Sequence, residues 1–315
     1  MSKCYRLIAI SEATAPITHM AGVSGNESIV AREPVATERG TAWVPHLSGN
    51  ALRHRCVREP GMRHLIDACG LAGSLTLEQM NFLLHGGALT KGGGVEDLPL
   101  VIEVAEVAPL VKLVGGALPA QILAGSLNVG RGMLACEENQ ACLRAMLPEG
   151  ALPDSALRPA ESFVSGYQYT RGDARKTAPK LAKDLDDGSD GNLMIFAGQA
   201  VMRGAIFVHS FVVRHGELIE VGALVDAIAR WQAAGGTIGG QASRGHGSLS
   251  TTLVNPDGID LDACRAEYLE SVEANKERFA DWLTRAFAAK SEPKAKASKK
   301  VVRPSSLIEE DGDAG

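Results

Sequence analysis

The spacing of apolar side chains predicts a strand and then a short helix near the start of the chain. Residues 4–10 alternate in polarity and carry β-forming side chains, as a half-buried strand does. Ser48 and Asn50 are favourable N-cap residues for a helix over 51–59. Because the residue before a proline disfavours the helical conformation, we expect this helix to end before Pro60.

A second helical pattern follows, and both of its ends are marked. Residues 76–87 place apolar side chains at three- and four-residue spacing, and Thr76 and Gln79 have the spacing of a capping box. Gly86 suits the C-terminus of such a helix. Glycine-rich turns follow, so we interpret residues 60–146 as an inserted segment of helices and loops.

The second half of the chain predicts an arm, a hairpin and a helix. Residues 150–190 are rich in Pro, Asp, Gly and basic side chains, which indicates a projecting arm or hairpin. Two apolar runs flank Arg203 and Gly204 and predict a buried β-hairpin. Apolar side chains at helical spacing over 218–236 predict a helix closed by its glycines.

The order of elements defines the fold class. Residues 248–254 predict a last strand and residues 260–287 a last helix that starts from an aspartate cap. The order β, α, insertion, β, β, α, β is that of a ferredoxin-like (RRM-like, βαββαβ) α+β domain with an antiparallel sheet. We assign residues 1–289 to this domain and expect residues 290–315 to form a disordered charged tail.

Composition narrows the classes of function. The 315 residues carry a formal net charge of −5 at pH 7, so any contact with nucleic acid must use local basic patches. No run approaches the ~18 apolar residues of a membrane span, and the N-terminus lacks the apolar core of a secretion signal. We therefore expect a cytoplasmic protein. The six cysteines include no CxxC pair, and no spacing suggests a metal or another cofactor.

One glycine-rich stretch carries candidate chemistry. Residues 238–249 read IGGQASRGHGSL, with four glycines, one arginine and one histidine. Glycines allow close approach of the backbone and leave N–H groups available, which favours a phosphate ligand. The stretch lacks the lysine of a Walker loop, and it precedes a strand, whereas a dinucleotide fingerprint follows one.

At this point the sequence resembles the RAMP superfamily of CRISPR-associated proteins, whose ferredoxin-like domain has a glycine-rich loop between its second helix and last strand. The stretch WVPHLSGNALRHRCVRE, residues 43–59, resembles a further motif of RNA-holding backbone subunits. HGGALTKGGG, with PLVKLVGGALPAQILAGSLNVG, is similar to the backbone subunit of type IV CRISPR effector complexes.

The resemblance implies a non-catalytic subunit whose copies stack along one CRISPR RNA and present the guide for pairing with a target strand. It suggests DNA as the target, other effector subunits as partners and a recruited helicase, with no membrane involved. The basic stretch 167–183 would be a thumb that enters between bases.

A filament on RNA should contact phosphates and sugars, because the guide sequence varies. The candidate RNA-binding residues fall in three groups, at the first helix, in the arm and in the glycine-rich loop: Ser48, Asn50, Arg53, His54 and Arg55; Arg171, Arg175 and Lys176; Gly239, Gly240, Arg244, Gly245 and His246. For Ser48 and Asn50, plain helix capping is an equal alternative.

The main alternative is a RAMP endoribonuclease that processes precursor CRISPR RNA, with His19 as general acid or base. Related subunits cut target RNA with an acidic residue in the loop after the first strands. That region, THMAGVSGNESIVARE, contains no aspartate; it has Asn26 next to Glu27, and Glu33 at its end, which disfavours cleavage. A small-molecule enzyme is a third class, for which no catalytic set is positioned.

Overall fold

A computed structural model describes residues 3–24, 27–89, 97–153, 156–171 and 194–288. These residues form an α+β fold with mainly antiparallel sheets. The predicted tail, residues 290–315, lies outside the described residues, and so does most of the predicted arm.

The described strands are numbered β1 to β13 along the chain. They are β1 Cys4–Ala13, β2 Met20–Ser24, β3 Glu27–Val30, β4 Arg32–Thr37, β5 Gly40–Leu47, β6 Gly116–Ala117, β7 Ile122–Leu123, β8 Leu127–Val129, β9 Gly132–Leu134, β10 Val164–Arg171, β11 Met194–Val201, β12 Ile206–Arg214 and β13 Leu249–Val254.

The helices are numbered in the same way. The first, α1, is one continuous run made of an α-turn Gly49–Leu52, a π-helix Arg53–Arg58 and an α-helix Glu59–Ala68. The others are α2 Leu77–His85, α3 Leu98–Val107, α4 Pro109–Val114, α5 Gln140–Met146, α6 Leu218–Ala233, α7 Leu261–Ala274 and α8 Lys276–Phe287. Within the described ranges, no helix is long and apolar enough to cross a membrane.

The main sheet has seven strands in the order β13-β1-β12-β9-β5-β4, with β8 also paired to β12. Ala9 lies opposite His209 on one neighbour and opposite Leu253 on the other, both antiparallel. Leu7 and Ala9 join the large core, while Ile8, between them, joins a smaller cluster. Since side chains alternate across a strand, this sheet is buried on both faces.

A second sheet has the strand order β10-β11-β3-β2. Strands β10 and β11 pair antiparallel from Val164 opposite Val201 to Arg171 opposite Met194. We call the paired β10 and β11 the hairpin root; residues 172–193, which connect them in sequence, lie outside the described residues.

The predicted hairpin around Gly204 is wrong in its pairing, although both of its strands exist. β11 belongs to the second sheet, whereas β12 lies at the centre of the main sheet. The chain changes sheet at Met202–Ala205, where the N–H of Gly204 donates to the carbonyl of Ala13 at 2.7 Å. An apolar run indicates a strand, but its partner is decided by distant residues.

The first helix does not end before Pro60 as expected. The six-residue π-helix precedes the proline, and the Glu59 N–H donates to the carbonyl of His54, five residues earlier. A proline in an α-helix meets the carbonyl four residues before it. The wider π-turn changes that spacing, so the helix continues to Ala68.

Two other helices match their end signals. Thr76 and Gln79 form both bonds of the capping box, and Gly86 closes α2 in the left-handed conformation with φ 92°. The helix predicted over 218–236 is confirmed as α6, with Trp231 buried.

The single last helix predicted over 260–287 is wrong, because the structure has two helices that meet at Asn275. The Asn275 side chain donates to the carbonyl of Ser271 at 2.9 Å. An asparagine that bonds the backbone in this way competes with the helical ladder.

Candidate nucleic-acid interface

Two adjoining cavities open at the start of α1 and share Asn50 and Arg53. The larger, of about 690 Å³, extends along His54 toward the end of α2 and the strand β7. The smaller, of about 440 Å³, extends along Ser48 and Arg131 toward β8. We call the two together the α1 groove.

Ser48 both caps the helix and lines the groove. Its hydroxyl accepts the N–H of Ala51 at 3.2 Å, and its own N–H donates to Nε2 of His19 at 3.1 Å. Ser48 therefore does cap the helix. Asn50 makes no cap bond, and its side chain lines both cavities. Capping does not prevent the exposed edge of the Ser48 hydroxyl from meeting a ligand.

Arg53 occupies the shared wall of the groove. One end of its guanidinium donates to the carbonyl of Val114, at the C-terminus of α4. Its buried Nε has no hydrogen-bond partner among the described residues. Burial lowers the pKa of Arg53, yet an arginine stays charged at neutral pH. The wall of the groove therefore contains a fixed positive charge.

Arg58, one turn further on, is a buried arginine that no carboxylate balances among the described ion pairs. It donates to the carbonyls of Phe82 and Leu83 near the end of α2, and to those of Val114 and Gly115 at the end of α4. Burial lowers its pKa to about 10. Two helix C-termini, each with partial negative charge, stabilise its guanidinium.

His54 and Arg55 differ in position although they are neighbours in sequence. The His54 ring stacks on His85 with centroids 5.8 Å apart, and both rings line the larger cavity. Burial, more than its charged neighbours, lowers the pKa of His54, so the ring is neutral at pH 7. Arg55 lines neither cavity and instead pairs with Glu59 at 2.7 Å.

Arg131 is a groove residue that the sequence did not single out. It lies in the turn between β8 and β9, its side chain is 59% exposed, and it pairs with Glu33 at 2.5 Å. The glycines on either side of it serve packing, since a Cβ on Gly130 would lie 2.8 Å from Oγ of Ser210 and one on Gly132 would lie 2.9 Å from Cβ of Leu47.

The glycine-rich loop does not offer its amides to a ligand as the sequence suggested. Five N–H groups between Gly239 and Ser248 donate within the protein: Gly240 to the carbonyl of Thr18 at 2.8 Å, Arg244 to Gln241 at 2.9 Å, Gly245 to Ala242 at 3.1 Å, His246 to Gln241 at 3.3 Å and Gly247 to Pro16 at 2.8 Å. A Cβ on Gly239, which has φ 74°, would lie 2.5 Å from the carbonyl oxygen of Thr18. Gly239, Gly240 and Gly247 therefore serve close contacts with residues 16–18 and within the loop, whereas a Cβ on Gly245 would meet nothing within 4 Å.

The loop instead presents side chains. Arg244 is exposed and lies over the ring of Tyr169, with its Cζ 3.9 Å from the ring centroid. His246 contacts the Tyr167 ring edge-on at 4.9 Å and shares a 2.7 Å hydrogen bond with the hydroxyl of Thr18. Burial and the charge of Arg244 lower the pKa of His246.

The loop and the α1 groove are neighbours but not one groove. None of the predicted loop residues lines either cavity. The segment Thr18–His19 lies between them, because Thr18 contacts the loop while His19 accepts the Ser48 N–H. We expected the residues of the first helix and those of the glycine-rich loop to line the same groove. The structure instead has two separate sites, which are connected through Thr18 and His19.

The arm residues are only partly described. Arg171 is the last residue of β10, and Arg175 and Lys176 lie outside the described residues. In the part of the chain that is described, no three His, Cys, Asp or Glu side chains come together as a metal site requires.

Comparison with known proteins adds a structural likeness. No protein-family model and no curated protein matches the sequence. A solved type IV-B CRISPR complex, however, contains a chain of similar fold. It superposes with a TM-score of 0.56 and 15% identity, covering 81% of this chain and 92% of that chain. At this identity the likeness concerns the fold.

Proposed function

We propose that the protein is a non-catalytic backbone subunit of a CRISPR effector complex, whose copies line up along CRISPR RNA and present the guide to a target strand. The observation that carries the proposal is the fold likeness to a chain of a type IV-B CRISPR complex over 92% of that chain. Chain order and strand order support a ferredoxin-like RAMP core made of β1, α1, β8 with β9, β12, α6 and β13.

The α1 groove supplies chemistry suited to this role. Arg53 and Arg131 are cations at its wall, and Asn50 and Ser48 add neutral polar groups. Such groups hold phosphates and sugars without reading base edges. A guide-holding subunit must accept any sequence, so contacts of this kind are the ones it requires.

Further partners follow from the same proposal. They are other copies of this chain, the remaining subunits of the effector, a target strand, taken as DNA, that pairs with the guide, and a recruited helicase. The protein works without a cofactor, in the cytoplasm.

The endoribonuclease alternative depends on His19, and its geometry favours the non-catalytic role. Nε2 of His19 accepts the Ser48 N–H, so the basic nitrogen is occupied. Burial and the neighbouring His46 lower the pKa of His19, which makes it a poor general acid at neutral pH. We expect no metal-independent cutting of labelled repeat RNA, and cutting that His19→Ala abolishes would overturn the proposal.

The groove is tested with Arg131→Ala, because this exposed side chain can be removed without opening the core. Binding of single-stranded RNA should weaken by about tenfold for every sequence, and the slope of log Kd against log salt should fall by ~1. Arg63→Ala is the matched control, since Arg63 is equally exposed and also pairs with a glutamate, Glu59.

The charge partner of Arg131 gives the opposite change. Glu33→Gln releases the arginine from its ion pair, so RNA affinity should rise by roughly two- to fivefold. Equal affinity of wild type, Arg131→Ala and Glu33→Gln would refute the assignment of the groove.

A further inference from the structure

Three aromatic rings lie nearly parallel on one face of the hairpin root. The rings of Tyr169 and Phe196 are 5.1 Å apart with an angle of 13°, and those of Tyr167 and Tyr169 are 6.4 Å apart with an angle of 8°. The register places Tyr169 opposite Phe196 and Tyr167 opposite Gly198. All three rings are only half-buried, although ring stacks of this size usually belong to a core.

The strand sequence is adapted to hold the rings in this way. A Cβ on Gly198 would lie 2.5 Å from the Tyr167 ring, so only glycine lets that ring lie across β11. Tyr167 and Tyr169 are two residues apart and share a face, whereas Gln168 between them points to the other face.

The glycine-rich loop adds charge to the same face. The guanidinium of Arg244 stacks on Tyr169 and donates to Oε1 of Gln241 at 2.9 Å. Nε2 of Gln241 in turn donates to the Tyr167 hydroxyl at 2.8 Å. Among the described ion pairs, none neutralises Arg244.

We infer that this aromatic–arginine face, formed by Tyr167, Tyr169, Phe196 and Arg244, stacks an unpaired base of single-stranded RNA, with Arg244 beside its phosphate. Stacking on tyrosine rings and guanidinium planes is the usual way proteins hold unpaired bases, and it accepts any base. The inference rests on the proposed function and adds a base contact to the phosphate contacts of the α1 groove.

The chemistry selects this ligand over an acidic peptide. An acidic partner would need the cation alone, and a purely apolar partner would leave the guanidinium without a counterion. A nucleotide supplies both a flat π-surface and an anion at neighbouring positions, which matches the pairing of flat rings with one exposed cation.

The test compares two RNAs of equal length and charge, an oligouridylate and its abasic ribose–phosphate counterpart, on the full-length protein. Wild type should bind the oligouridylate more tightly than the abasic chain by roughly fivefold to a hundredfold. In Tyr169→Ala this ratio should fall toward one, while affinity for the abasic chain stays unchanged.

Three variants control the comparison. Tyr169→Phe keeps the ring and should keep the ratio. Gln168→Ala changes the opposite face of the same strand and should also keep it. Arg244→Ala, in an exposed loop, tests the same face if Tyr169→Ala unfolds, and it should lower both the ratio and the affinity for the abasic chain.

The outcomes separate this inference from the proposed function. If wild type binds neither RNA, the proposed function fails. If wild type binds both RNAs but the ratio in Tyr169→Ala and Arg244→Ala equals that of wild type, the proposed function stands and the stacking site is refuted. If the aromatic–arginine face instead packs against another protein, we expect this second result, an unchanged ratio in both variants.

Discussion

Replacement of Arg58 by methionine should destabilise the protein strongly, although Arg58 takes part in none of the described ion pairs. Its Nη2 donates to the carbonyls of Gly115 at 2.6 Å and Val114 at 3.1 Å, and Nη1 reaches those of Phe82 and Leu83 at 3.3 and 3.2 Å. Arg58→Met removes these four bonds, although the carbonyl of Val114 keeps its bond from Arg53 and that of Phe82 keeps its bond from the Gly86 N–H.

The magnitude follows from the two shorter bonds. A hydrogen bond to a charged group contributes about 2 kcal/mol net, so the two together contribute about 4 kcal/mol. Methionine avoids the desolvation of a buried charge, which offsets about 1 kcal/mol of this loss. We expect the free energy of unfolding to fall by about 3 kcal/mol.

The assay is urea unfolding followed by tryptophan fluorescence, since Trp282 is buried and its ring centroid lies 6.4 Å from that of Phe82. Arg63→Met is the control on the same helix, because Arg63 makes only an exposed ion pair and should cost less than about 0.5 kcal/mol. A loss below about 1 kcal/mol in Arg58→Met would show that the helix-end carbonyls are satisfied in another way.

Two further predictions concern the loop and the central strand. Gly239→Ala should destabilise the protein by more than Gly245→Ala. Both glycines have positive φ, but of the two only Gly239 meets a backbone carbonyl, that of Thr18. The left-handed strain alone costs ~1 kcal/mol, and equal losses of stability in thermal unfolding would contradict the packing role of Gly239. Burial lowers the pKa of His209 to about 4, whereas an unfolded histidine has a pKa of about 6.5. The unfolded chain therefore takes up a proton that the folded protein excludes, and stability should fall by roughly 2–3 kcal/mol as the pH drops from 7 to 4.5. His209→Leu should remove that part of the pH dependence, and an unchanged slope would point to other groups.

Features that depend on neighbouring residues were predictable from the sequence. The capping box of Thr76 and Gln79 and the stop at Gly86 are local signals, and the structure has both. The strand at β13 and the helix α6 follow from apolar spacing in the same way.

Features that depend on distant residues were not predictable. The carbonyl partners of Arg58 lie 24 to 57 residues away along the chain, so the sequence shows only one more arginine in a basic patch. The separation of β11 from β12 likewise depends on partners in β3 and β1.

The same distinction between local and distant signals applies to the residues of the candidate site. Arg53 and Ser48 were found because a helix start is a local pattern, whereas Arg131 was missed because only the fold brings it beside them. The glycines of the loop indicated close approach of the backbone, but a sequence does not tell whether an amide is already bonded. Because amides of the loop are bonded within the protein, its candidate contact groups are the side chains of Arg244 and His246 and not its backbone.

The change of sheet at Met202–Ala205 has a mechanical consequence. The hairpin root leads within four residues into β12, which is held by ladders to β1 on one side and to β8 and β9 on the other. A force applied to the hairpin root would therefore be carried into β12, whose backbone hydrogen bonds to three other strands resist its displacement. The hairpin root is thus anchored to a strand that pairs with three others, so a ligand bound on the root rests on a firmly held surface.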